Sequence, residues 1–356
     1  MRCLMTPEHG WGPSTRVVRA GWSGSEPGEP LGPPVVLAAP YVLPGEAAPE
    51  GYGRYVNPTW TALETAIGAL EGGPALVFAS GMAAIDAVLR SVDGPLVAPA
   101  DGYFTLRSLV PGARFVPTRT EAYLEAVAGA ALVWVETPSN PRLDVVDIAA
   151  VAEAAHAAGA LLAVDNSVAT PLGQRPLALG ADFSVCAGTK GLSGHSDVLY
   201  GVVAARDSER LAPVLTVRSH AGAVLGPFEA WVAHRSLATL ELRLERASAT
   251  SLALYEALRD RGVAAFHPSA SDIALDQMRH FGPVVGFDLE SEAAAAEFFA
   301  RTELVTEATS FGGVHTTAER RARWGTDDVG PGFVRLSAGV EDTADVVADV
   351  LGSVRT

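Results

Sequence analysis

Residues 160–205 read ALLAVDNSVATPLGQRPLALGADFSVCAGTKGLSGHSDVLYGVVAA. Three short apolar runs, ALLAVD, DFSVCA and VLYGVVAA, are separated by polar, glycine-punctuated segments. None alternates apolar with polar residues as a half-solvated strand does. Strands of this kind are buried on both faces, which predicts a mostly parallel sheet with helices on each side. The same stretch holds Lys190, the only lysine in the chain, against 25 arginines. Arginine replaces lysine as a solvated cation but not as an amine, because its guanidinium stays protonated. A lone lysine at a strand end is therefore a candidate for amine chemistry, with a structural cation as the plain alternative.

Working outward, ALVFAS, PLVAPA, ARFVPT and ALVWVET are further apolar strands. WTALETAIGALEG, GMAAIDAVLRSV and DIAAVAEAAHAAG carry the three- and four-residue spacing of helices, the first ended by Gly72-Gly73. From about Asp207 the pattern changes. A long helical stretch, FEAWVAHRSLATLELRLERASATSLALYEALRDRG, leads to VVGFDL, EAAAAEFFA, VRLSAG and a final helix in DTADVVADVLG. The chain is expected to divide into an N-terminal arm (1–50), a large domain (51–215) and a smaller α+β domain (216–356). Residues 1–50 are rich in Gly and Pro and show no helical period. The apolar VVLAAPYVL within them fits either a loose tail or an arm that packs on a partner.

At 356 residues the chain exceeds one ordinary core. With 48% hydrophobic and 19% charged residues it reads as a globular enzyme or binding protein. The net charge of −15 argues against nucleic acid or an anionic membrane as partner, while leaving room for a local pocket for a small anion. Cys3 and Cys186 cannot supply a disulfide framework, and no CxxC or His-rich cluster suggests a metal. The N-terminus lacks a signal-like apolar region, so a cytoplasmic protein is expected.

Lys190 lies in CAGTKGLSGHSDVLYG, a loop between buried strands, where burial lowers an amine's pKa and makes it nucleophilic. The order GTK excludes a P-loop, and GxGxxG follows no strand. Asp165 closes ALLAVD. It either caps a turn or serves as counter-ion to a pyridinium nitrogen, as pyridoxal phosphate requires. Ser80-Gly81-Met82 joins strand to helix, where free N–H groups suit a phosphate, although such junctions are common. Tyr52 and Arg54 offer a hydroxyl and a guanidinium fork to the same phosphate, or are simply surface groups.

YGRYVNPTWTALE, ALEGG, ASGMAAI, ETPSNP, VDNSVATPLGQRPLALGADFSV, GTKGLSGHSDVLYG and VRLSAGVED stand in this order along the chain. In order and spacing they resemble the cystathionine γ-lyase / γ-synthase family, the pyridoxal 5'-phosphate (PLP) enzymes of Cys and Met metabolism. The resemblance runs from about residue 50 to the end. It implies an α/β fold of the PLP-dependent transferase type (aspartate aminotransferase-like, fold type I). It also implies that Lys190 is the Schiff-base lysine, Asp165 the acid on the pyridine nitrogen, and Tyr103 a ring-stacking residue that assists proton transfer. Ser80, Gly81, Met82 and Thr189 then hold the phosphate, and Ser167 lies beside the cofactor. Tyr52 and Arg54 reach the phosphate of a neighbouring subunit, which implies a homodimer or homotetramer. Arg335 grips the substrate α-carboxylate with Asn140 nearby.

The chain departs from the family pattern at four places. Ala187 stands where a serine is usual, and Gly191 where an aromatic follows the lysine. His315 and Thr316 occupy Glu-Ser positions expected to line the distal substrate pocket. The resemblance implies γ-elimination on a sulfur amino acid, with cystathionine giving cysteine, 2-oxobutyrate and ammonia. γ-Replacement shares the early chemistry and stays open, including a specialised substitution on an unusual amino acid. Methionine γ-lyase activity is disfavoured, because the cysteine that marks it is absent from Asp101–Arg107. A non-catalytic descendant is a further reading, against which Lys190 itself stands.

Overall fold

The structure, a computed structural model, describes residues 11–21, 27–43 and 51–355. The large domain is a seven-stranded sheet of β1 (Ala75–Phe78), β2 (Leu96–Pro99), β3 (Arg114–Val116), β4 (Leu132–Glu136), β5 (Leu161–Asp165), β6 (Phe183–Cys186) and β7 (Gly201–Ala205). Its order is β1-β7-β6-β5-β4-β2-β3. β3, β2, β4, β5 and β6 run parallel, and β7 lies antiparallel to both β6 and β1. Every residue of β4, β6 and β7 is buried, as the unbroken apolar runs require of strands covered on both faces. The smaller sheet contains β8 (Ala264–Phe266), β9 (Val284–Asp288), β10 (Thr306–Glu307), β11 (Thr317–Arg320) and β12 (Phe333–Ser337), in the order β10-β11-β12-β9-β8.

Local chemistry sets the helix ends. Asn57 accepts a bond from Thr59 N and Pro58 opens the helix Pro58–Glu71, which stops at Gly72 with φ 84°. Ser80 caps the helix Gly81–Arg90 by accepting from Ala83 N. The long helical stretch after residue 227 is two helices, Pro227–Leu237 and Leu240–Asp260.

The domain limits follow the packing. Residue 216 falls inside the helix Ser208–Ala221, whose Leu211 and Val214 belong to the large-domain core. Ala230, Ala233 and Leu237 of the next helix also join that core. Helix Leu240–Asp260 starts there with Leu240 and Leu244 and ends in the small-domain core with Leu254 and Leu258. We place the division within this helix rather than at 215/216. The N-terminal segment likewise is not wholly an arm. Pro13–Arg19 is a helix that buries Val17 in the large-domain core, and Pro33–Val36 bonds to Trp231, Thr59 and Asn57. Beyond it Leu37 and Val42 are exposed. Among the described residues no helix is long and apolar enough to cross a membrane.

Candidate active site

Asp165, Glu136 and Lys190 all gather at the C-terminal edge of the parallel strands: Asp165 ends β5, Glu136 ends β4, and Lys190 turns back four residues beyond β6. This edge is where open α/β sheets bind ligands. The Lys190 Nζ donates to Ser310 Oγ at 2.7 Å and lies 4.8 Å over the Phe311 ring. Burial brings its pKa down to about 8, Arg335 adds to the fall, and Glu319 and Asp165 oppose it. The free amine is thus more accessible near neutral pH than in an ordinary lysine.

Asp165 is buried and accepts from Ser167 N at 3.0 Å. Burial raises its pKa, while the hydroxyl and amide of Ser167, then Lys190, pull it back. Glu136 stands beside it in register on β4, and burial followed by the Asp165 charge pushes its pKa up as well. Two carboxyls buried side by side resist ionising together, so this edge favours a bound cation. Glu136 anchors the cleft's near wall by accepting from Tyr103 N at 2.7 Å and from Asn140 N at 2.8 Å. Tyr103 is partly exposed beside Phe104, with ring centroids 5.2 Å apart.

The helix beginning at Gly81 abuts the lysine loop, and a Cβ at Gly81 would come within 2.9 Å of Ala187 Cβ. That helix starts at Gly81, with Met82 one residue on, and a helix start carries N–H groups that have no partner within the helix. Ala187 lacks a hydroxyl, but its own amide donates to Ser167 Oγ at 2.7 Å. Thr189 Oγ1 clasps Tyr200, accepting from its N at 3.0 Å and donating to its O at 3.2 Å.

From the small domain, β12 brings in Arg335, which is buried. Its Nη1 donates to Asn140 Oδ1 at 2.6 Å and its Nη2 to Ser310 O at 2.9 Å and to Glu319. Its Nε is buried with no partner among the described residues. Burial lowers its pKa to about 10. The site therefore lies between the domains and joins Lys190, Asp165, Ser167, Tyr103 and Asn140 to Arg335.

Tyr52, Arg54, His315 and Thr316 share no hydrogen bond with Lys190, Asp165 or Arg335 among the described residues. Arg54 donates to Ser219 O at 2.6 Å and stacks on Tyr55 and Tyr52 at 4.6 and 5.7 Å, with no contact to the lysine loop. His315 is exposed. Thr316 is buried, its N and Oγ1 donate to Glu341 at 2.7 and 2.8 Å, and its Oγ1 accepts from Gly339 N. A small hydroxyl that caps a turn in its own domain explains its burial.

Ser310, Glu136 and Glu319 were missed from the sequence. Ser310 has φ 80°, a left-handed conformation rare outside glycine that often marks a functional site. The Gly312-Gly313 pair beside it was the available signal. Gly312 has φ 83°, and a Cβ there would lie 2.5 Å from Gly191 N, so the backbone after Lys190 leaves no room for a side chain at 312.

The fold and this cleft define a PLP-dependent enzyme of the aminotransferase-like kind. The family model for Cys/Met metabolism PLP-dependent enzymes matches residues 14–355, and the chain belongs to that family. A Streptomyces coelicolor protein named "Putative cystathionine gamma-lyase" is 52% identical over 96% of this chain and 93% of its own length. The crystal structure of apo CalE6, a methionine gamma lyase from Micromonospora echinospora, covers 97% of this chain and 100% of its own, with TM-score 0.90 and 36% identity. Cystathionine gamma synthase from Xanthomonas oryzae pv. oryzae in complex with cystathionine covers 96% and 97%, with TM-score 0.90 and 31% identity. The residues present fit PLP: a lone buried amine, a paired acid edge that calls for a cation, and a helix N-terminus beside the lysine loop.

Proposed function

We propose that the chain catalyses γ-elimination on a sulfur amino acid, with L-cystathionine and water giving cysteine, 2-oxobutyrate and ammonia. The observation that carries this reading is Arg335: a buried guanidinium with an unpartnered Nε, joined through Ser310 to the only lysine amine. That arrangement suits an α-carboxylate held a fixed distance from a base. PLP, when bound, supplies an electron sink for charge developing at Cα. Arg335 and Asn140 orient the substrate, and the Lys190 amine takes the Cα proton. Asp165 keeps the ring nitrogen's charge balanced. Tyr103, exposed beside Phe104, gives a proton to the departing sulfur in this reading.

γ-Replacement is the second reading, favoured by the similarity to a synthase with cystathionine bound. Tyr52 and Arg54, which share no hydrogen bond with their own lysine loop among the described residues, serve the phosphate in a second copy, so the working unit is a homodimer or a dimer of dimers. Incubating the holoprotein with L-cystathionine is expected to release cysteine and 2-oxobutyrate in equal amounts. Product only from an O-acyl-homoserine plus cysteine would move the assignment to replacement, and no product from either would refute both.

A further inference from the structure

Behind Arg335 lies a buried charge cluster. Glu319 on β11 faces Arg335 in the antiparallel register and accepts from its Nη2. The same Oε1 accepts from Arg321 Nη1 at 2.8 Å, while Oε2 accepts from Trp324 Nε1 at 3.0 Å. Asp327 in turn binds Arg321 through Nε and Nη2 at 2.8 and 2.6 Å. The side chains of Glu319, Arg321, Asp327 and Arg335 are each less than a tenth exposed.

Counting donors shows what substrate must overcome. A guanidinium has five N–H groups and grips a carboxylate through two parallel bonds along one edge, and both available edges include Nη2. Here Ser310 O and Glu319 occupy both Nη2 hydrogens, Asn140 takes one from Nη1, and Nε–H is unpaired. Neither edge is free at both ends. An entering carboxylate has to displace an acceptor from Nη2. Ser310 O is main chain, whereas Glu319 is a side chain already held by Arg321 and Trp324.

We infer that Glu319 is a placeholder for the substrate α-carboxylate: it holds Arg335 in the free enzyme and yields the Nε–Nη2 edge when substrate binds, remaining on Arg321 and Trp324. Glu319 is thus a positioning residue that competes with substrate. The inference rests on the proposed role of Arg335. A fixed internal acceptor keeps a buried cation from standing unpaired between turnovers, at a cost in substrate affinity.

The test uses holoenzyme and L-norvaline, which has the α-carboxylate but no γ leaving group, with L-norvaline amide as control, each Kd measured calorimetrically. In Glu319→Gln the Kd for norvaline is expected to fall on the order of three- to tenfold, the worth of one hydrogen bond, with the amide unchanged. Substrate KM falls in parallel. Trp324→Phe removes one of the alternative donors to Glu319 and shifts the norvaline Kd upward. This opposite sign keeps the test valid should Glu319→Gln fail to fold. A higher norvaline Kd in Glu319→Gln, equal shifts for norvaline and its amide, or an unchanged or lower Kd in Trp324→Phe overturns the inference. If these binding shifts appear but no sulfur amino acid is turned over, the proposed function falls and the placeholder stands.

Discussion

Glu71 ends the helix Pro58–Glu71 with its carboxyl fully buried, one oxygen without a partner and the other 3.9 Å from Cys186 Sγ. Burial raises its pKa from 4.5 to about 7, against smaller opposing effects of Ser184 and Arg175. The folded state therefore holds a proton that the unfolded chain releases above its ordinary value. Stability from this residue is full below about pH 4.5 and is lost as pH rises through about 7, a change on the order of 3 kcal/mol. Thermal melts from pH 5 to 8 are expected to show this decline in the wild type and its loss in Glu71→Gln. Lys190 gives a second test at this scale. With no other lysine in the chain, borohydride reduction of the holoprotein is expected to fix the cofactor at Lys190 alone, as peptide mapping would show. Label at the N-terminus alone would defeat the assignment. The lysine, Asp165 and Arg335 were legible because their residue types stand out at strand ends and in quoted motifs. Ser310 was not, since its left-handed backbone leaves no mark in a one-letter code. Nor does spacing show that Glu341 claims the Thr316 hydroxyl.

At the level of elements, strands were legible wherever both faces are buried, since an unbroken apolar run has no competing use. Their ends were less so. VLYGVVAA reads as one strand, yet β7 begins at Gly201 because Thr189 holds both the N and the O of Tyr200. The break between helices Pro227–Leu237 and Leu240–Asp260 has no Gly or Pro to announce it. Its cause is tertiary. Arg243, buried and with no carboxylate partner among the described residues, donates to Ser236 O at 2.9 Å at the end of the first helix. The same guanidinium reaches Gly191 O at 2.8 Å and Leu192 O at 3.3 Å in the loop that carries Lys190. Arg243→Met would leave these carbonyls unsatisfied, at a cost on the order of 3 kcal/mol. Chemical denaturation should register that loss. Cofactor retention on dialysis should fall too, because the lysine loop loses its brace. A variant with wild-type stability and retention would show that water replaces the guanidinium freely.

For the whole molecule, the two cores were legible as a change of pattern near Asp207, but the division was not, because one helix serves both. That sharing bears on function. Lys190 lies on one domain and Ser310 with Arg335 on the other, and Arg107 beyond Tyr103 donates to Thr326 O across the same cleft. Self-association is the scale a single sequence shows least, since apolar residues buried between subunits count like any others in composition. The arm leaves a trace in the structure. Leu37 is 80% and Val42 99% exposed, on a segment whose neighbours Pro33–Val36 are fastened to the chain. Exposed apolar residues on an anchored segment, next to the exposed Tyr52 and the half-buried Arg54, fit burial against a second copy. The double variant Leu37→Asp, Val42→Asp should keep its circular dichroism but shift to monomer in light scattering. On the proposal that Arg54 serves the neighbouring phosphate, it should also lose cofactor on dialysis. Arg54→Met should lose cofactor while the oligomer persists, which separates contact from catalytic complementation. If the monomeric double variant retained cofactor as the wild type does, each chain would hold its own phosphate unaided, and the shared-site reading of Tyr52 and Arg54 would be wrong.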